Sequence, residues 1–243
     1  MEAKILLFVL VTVGSLISSL TGLGGGTLIL AGLMLVFPPQ IAIPLHSFTQ
    51  MSSNAIRVSL FFKQVQWKVV AAYSSLMIPL AWLGALIFEH VNPDALKVIV
   101  GLFILYSLRP LKIKPTEEPR LKTFALLGAV SGFLGVFVGA VGPLVTPFFN
   151  RLKIPREGSL STKSAGQFFL QVSKVIAFAG AADFSFASLK EDIGLLIAGS
   201  LLGVLISIPV SKKISDELFE KGVNVMLFVI SIKILYEGIS ALV

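Results

Sequence analysis

The feature that most constrains this chain is a polar stripe inside an apolar segment. Across residues 41–62, His46, Gln50, Asn54 and Arg57 follow one another at steps of four, four and three. On a helix that spacing lines them along one face of an otherwise apolar cylinder. The stripe has a double. Adding 117 to each number gives Lys163, Gln167, Gln171 and Lys174, again in the middle of an apolar segment. The same offset relates Ser47 to Ser164, Pro38 to Pro155, Gly22 to Gly139 and Gly25 to Gly142. The chain therefore reads as two copies of one unit, each placing polar and basic groups where burial is costly.

Composition says what surrounds the stripes. The sequence is 55% hydrophobic and only 14% charged, against roughly half and a quarter in soluble domains. This is the balance of an all-α polytopic membrane protein. With no cysteine, disulfides, thiolate metal sites and cysteine catalysis are excluded. The net charge of +7 speaks to orientation rather than to a nucleic-acid partner, because Lys and Arg accumulate in cytoplasmic loops.

Taken in order, residues 5–20 form a modest apolar helix, which is expected to be retained because it lacks a small-residue cleavage site and runs into a glycine cluster. That cluster, Gly22-Leu23-Gly24-Gly25-Gly26-Thr27, precedes a short run to Phe37 that Pro38-Pro39 stops. Neither run reaches the roughly 20 residues that span a bilayer, so the expectation is two short helices meeting at a glycine turn inside the membrane. The first striped helix follows, then apolar segments near residues 69–88 and 95–108. Residues 109–122 hold three prolines and five basic residues. The second copy repeats the order: 124–138, a break at Gly139-Ala140-Val141-Gly142-Pro143, a short run to Phe149, the second striped helix near 158–180, and segments near 189–210 and 218–242. The expected division is a first repeat over 1–110, a linker over 111–121 and a second repeat over 122–243.

Loop charges arbitrate the topology. If all ten segments cross, or if each short pair forms a re-entrant hairpin, nearly all loop cations, among them Lys63, Lys68, Arg109, Lys122, Arg151 and Lys213, share one side. Only Lys4, Lys97 and Lys190 take the other. Treating each glycine-broken pair as a single span mixes the two sets. The separated arrangement has an odd number of crossings per copy, hence inverted repeats with both termini outside and the linker cytoplasmic.

Inverted repeats with broken helices are an architecture of secondary transporters, whose site lies near the midplane between the repeats. Inversion would bring Gln50 and Gln167 face to face. His46, Arg57, Lys163 and Lys174 have almost no carboxylates beside them; the one embedded acid, Glu237, stands four residues from Lys233, its expected partner. Unpaired cations inside a bundle imply an anion. The short helices opening at Gly24, Gly25, Gly26 and Thr27, and at Gly142 and Pro143, add free N–H groups and positive dipole ends. Each residue also has a plainer reading. Asn54 and Gln171 equally suit interhelical hydrogen bonds. Arg57, Lys174 and especially Lys163 are long enough to snorkel, and His46 suits a structural donor as well as a proton-sensitive gate. Glycine clusters also serve close packing. Without an HExxH, GxSxG or Asp-rich motif the chain is not expected to be an enzyme, and no metal or cofactor is expected.

Two signatures give these residues a resemblance. Pro44-Leu45-His46-Ser47 with Gln50, Ser53-Asn54, Arg57 and Gln66-Trp67 resembles the first half of the TauE/SafE family of sulfite exporters and related anion transporters. Gly139-Ala140-Val141-Gly142-Pro143-Leu144, Pro147 and Thr162-Lys163 with Gln167 and Lys174 resemble its second half. Departures fall at Gln171, where relatives carry histidine, and at the second glycine motif, which lacks three consecutive glycines. The resemblance implies a transporter for sulfite or an organosulfonate in the cell (inner) membrane, working by alternating access, with a homodimer compatible. An anion channel, or a transporter of another small organic anion, is the alternative.

Overall fold

The computed structural model describes residues 2–21, 25–109, 119–182, 184–210 and 216–242. Gly22 to Gly24 and most of the expected linker lie outside them. The described residues are helical throughout: α1 (Glu2–Thr21), α2 (Gly25–Leu33), α3 (Pro39–Leu60), a 3-10 turn (Phe62–Gln64), α4 (Trp67–Ser74), α5 (Met77–Phe88), α6 (Pro93–Ser107), α7 (Leu121–Val138), α8 (Gly142–Phe149), α9 (Arg156–Ala181), a second 3-10 turn (Phe186–Leu189), α10 (Lys190–Val210) and α11 (Asp216–Leu242). The expected all-α class is what is seen.

Proline and asparagine set the main boundaries. Pro38 and Pro155, 117 apart, immediately precede the two striped helices in extended backbone, with φ of −61° and −52°, and Pro39 occupies the first turn of α3, where its missing donor costs nothing. Asn92 caps α6, its side chain accepting from the N–H groups of Asp94 and Ala95 at 2.7 and 3.4 Å. One break departs from expectation. The single segment anticipated over 69–88 is interrupted between α4 and α5, because the Pro79 ring conflicts with the carbonyl of Ser75 one turn back.

Four stretches are long and apolar enough to cross a membrane by length and composition: Trp67–Phe88, Leu121–Val138, Phe186–Pro209 and Lys221–Leu242, with Lys4–Leu20 a shorter apolar helix. The protein is a multi-pass membrane protein. Helices α3 and α9, at 22 and 26 residues, are as long but carry the polar stripes. The stripe residues are buried, while large apolar side chains face outward. His46, Gln50, Asn54, Arg57, Lys163, Gln167, Gln171 and Lys174 all lie inside, while Leu126, Val225, Phe228 and Val229 face outward. Such a distribution suits a hydrocarbon surround, where interior positions alone can satisfy polar groups.

The packing puts the striped helices together. Helix α3 lies against α9, α1 against α10, α7 against α4 and α5, and α6 against α11. Thus the opening helix of each half packs on the fourth segment of the other. Glycines set the closeness of two of these contacts. Gly128 and Gly132 of α7 lie on the backbone of Tyr73 and Met77, and Gly199 and Gly203 of α10 lie on the backbone of Phe8 and Thr12. Both are small residues one turn apart, the spacing that lets membrane helices approach closely. A Cβ at Gly128 would overlap the Tyr73 carbonyl. Gly128→Val should therefore force α7 off α4 at a cost of about 1–3 kcal/mol, read as a lower Tm in detergent; an unchanged Tm would mean the contact is not as tight as described.

Lys233 and Glu237 approach to 3.8 Å on the exposed side of α11, the expected four-residue pair. Trp67 stacks near Phe62, with ring centroids 5.1 Å apart, and Trp82 covers Gly180.

Candidate functional site

Between α3 and α9, at the N-terminal ends of α2 and α8, lies a partly open cavity of about 50 Å³. At roughly 10–15 Å³ per water position, that is room for a few waters or a compact polyatomic ion. From α3 come His46, Gln50, Asn54 and Arg57; from α9, Lys163, Gln167 and Gln171; from the short helices, Gly26, Thr27, Gly142 and Pro143; Ser18 and Ala140 complete it. No carboxylate lines it among the described residues.

The two stripes use their residues in parallel ways. The first member of each reaches its neighbouring short helix: His46 Nε2 lies 2.9 Å from the Gly26 carbonyl and Lys163 Nζ 3.3 Å from Thr146 Oγ1. The third holds the fourth. Asn54 Oδ1 accepts from Arg57 Nη1 at 3.2 Å, and Gln171 Oε1 accepts from Lys174 Nζ at 3.2 Å. These amides are intrahelical props for cations, rather than the interhelical ties that remained open in the sequence. The fourth member then reaches the end of the helix that opens its half. Arg57 donates through Nε to Ser19 at 3.3 Å and through Nη2 to Ser18 at 3.0 Å, both near the end of α1, while Lys174 donates to the Gly139 carbonyl at 2.9 Å, past the end of α7. A carbonyl at a helix C-terminus carries partial negative charge, which favours the ammonium there.

Gly139 makes this possible. With φ of 69° and ψ of −54° it centres a γ-turn, closed by Ala140 N–H on the Val138 carbonyl at 2.7 Å. Glycine alone enters that region without strain. A Cβ there would also press on Leu30 of α2, so this turn packs against the first short helix.

The halves differ at the second stripe position. Gln167 donates from Nε2 to the Tyr73 hydroxyl at 3.1 Å, and Tyr73 donates to Ser131 at 2.9 Å. Gln50 has no such clamp: its Nε2 is buried without a partner, and its amide lies over Gly26.

Arg57 and Lys174 therefore make hydrogen bonds only to neutral groups among the described residues. A guanidinium has five N–H donors; three are engaged, and one on each Nη remains for a ligand. Lys174 differs in position. It is fully buried behind Gln171 and does not line the cavity. Gly25 is also out of reach, packed on Gly14 and Ser18 of α1, and Gly24 lies outside the described residues. Lys163, the residue most open to snorkelling, is buried and faces inward. Sequence reasoning missed Ser18, Ser19 and Tyr73. Adjacent serines at the end of an apolar helix, and a tyrosine within an apolar run, were the available signals.

The geometry can hold a small anion: one guanidinium, one ammonium, amide donors and two helix N-termini converge on a space without acids. The family model described as sulfite exporter TauE/SafE matches residues 6–234. The probable sulfite/organosulfonate exporter TauE of Cupriavidus necator is 26% identical over 154 residues, which cover 59% of this chain and 60% of that protein's length. No solved structure matches.

Proposed function

Because the chain belongs to the sulfite exporter TauE/SafE family, we propose that it is a secondary transporter moving a small sulfur oxyanion, sulfite or a short sulfonate, across the cell (inner) membrane. The observation that carries the reading is the acid-free cavity between α3 and α9, into which Arg57 and Lys163 both reach. An anion crossing a bilayer must exchange its water for fixed donors, and the cavity supplies them from both halves. Alternating access would follow from rocking one half against the other about the α3 and α9 contact. The exchange of packing partners between halves and the loop charges favour inverted repeats with both termini outside.

Counterflow in proteoliposomes tests this directly. Vesicles loaded with unlabelled sulfite or methanesulfonate are expected to take up labelled sulfite saturably. Entry should be slowed at least about tenfold by Gln50→Ala, which removes one donor to an anion. If a carboxylate shows counterflow and neither sulfur anion does, the sulfur assignment fails. Unitary currents in place of exchange would make the protein a channel.

A further inference from the structure

Several buried side-chain polar atoms lack a partner among the described residues, and two of them belong to residues lining the cavity: His46 Nδ1 and Gln50 Nε2. Native interiors rarely leave such atoms unpaired, so their presence at a cavity marks where a ligand completes the pairing. Their chemistry differs. The Gly26 carbonyl can only accept, so the hydrogen of His46 sits on Nε2 and donates to it at 2.9 Å. That fixes the tautomer, and the neutral ring keeps a bare lone pair on Nδ1. Gln50 Nε2, one turn further along α3, offers a hydrogen. One helix face therefore presents an acceptor and a donor side by side.

A fully ionised oxyanion satisfies only half of this pair. Its oxygens accept from Gln50 but set lone pair against lone pair at His46. A sulfonate does the same, since all three oxygens are acceptors. An oxyanion that keeps one proton satisfies both: its O–H donates to His46 Nδ1, while another oxygen accepts from Gln50 Nε2.

Resting on the anion-carrier reading above, we propose that the site takes its oxyanion as the singly protonated monoanion, hydrogen sulfite rather than the sulfite dianion, with His46 as the residue that selects the protonated form. Of the charged stripe residues, Lys174 of α9 faces His46, while Lys163 lies with Arg57 about three turns further along α3. The other helices packed on α3, namely α1, α2, α6, α7 and α10, bring no titratable side chain to the cavity among the described residues.

The test is the pH dependence of sulfite counterflow in proteoliposomes of the full chain, with equal pH on both sides. Sulfite's second ionisation falls near neutrality, so pH sets the share of each form. The KM for total sulfite is expected to be lowest where hydrogen sulfite dominates and to rise about tenfold per pH unit once the dianion takes over. Methanesulfonate, with no proton to give, should compete at least about tenfold more weakly than sulfite at low pH. His46→Ala should raise the low-pH KM for sulfite about tenfold and flatten the slope. The wild-type profile needs no variant to fold. A flat or reversed slope means the dianion is carried, and the inference falls while the carrier reading stands. Absence of saturable sulfite counterflow at every pH removes the carrier reading, and the inference with it.

Discussion

Arg57→Met is expected to lower sulfite counterflow by about 100-fold or more. Arg57 lines the cavity and has its engaged hydrogens on neutral, geometrically fixed acceptors: Ser18, Ser19 and Asn54. Those three bonds aim the guanidinium plane, so the two remaining N–H groups are presented without further ordering. Removing a desolvated charge that pairs with an anion costs about 2–5 kcal/mol, and a loss near 2.7 kcal/mol is already 100-fold. Arg57→Lys separates charge from aim. A single ammonium cannot serve Ser18, Ser19, Asn54 and the anion together, so activity should fall between wild type and methionine. Counterflow rates with Tm in detergent provide the check. If Arg57→Met lowers Tm and leaves the transport rate per folded protein within a few-fold of wild type, Arg57 is a strut between α1 and α3 and the anion is held elsewhere.

Much of this site was legible because polar residues in an apolar segment need a reason to be there. The helical spacing of His46, Gln50, Asn54 and Arg57 determines that they share a face, and repetition at 117 identifies the partner face; both follow from helix periodicity alone. What each residue does on that face was not legible. The offset pairs Arg57 with Lys174, but one lines the cavity and the other does not, because Arg57 meets serine hydroxyls on α1 while Lys174 meets a carbonyl freed by the Gly139 turn. The difference arises from backbone geometry that no periodicity encodes. Tyr73 was hidden for a similar reason: it reaches Gln167 from the opposite half of the chain, and sequence separation carries no trace of that approach. The break between α4 and α5 could have been read from Pro79. The tight glycine contacts of α7 and α10 were likewise available as GxxxG spacing, in segments where attention went to length.

The second large effect expected is on stability. Lys174→Ala should destabilise the protein by about 3–5 kcal/mol, because it removes a fully buried side chain and orphans two acceptors together. The Gly139 carbonyl loses its donor at 2.9 Å and Gln171 loses its partner at 3.2 Å. Lys174→Met refills the volume without restoring either bond, so it should recover the packing part of the loss and leave the polar part. This ordering separates two roles for the residue. As an anchor behind Gln171, Lys174 holds the γ-turn that packs Leu30 of α2 and places Gly142 and Pro143 at the cavity; its variants then lower Tm first, and transport falls in proportion to folded protein. As a direct ligand of the anion, it would show the reverse, with Lys174→Met keeping the wild-type Tm and losing transport outright. The two cations of the stripes therefore predict opposite signatures, Arg57 in transport and Lys174 in stability. Thermal unfolding and counterflow on the same four preparations, Arg57→Met, Arg57→Lys, Lys174→Ala and Lys174→Met, distinguish a site with one charged ligand at that position of the stripe from a site with two.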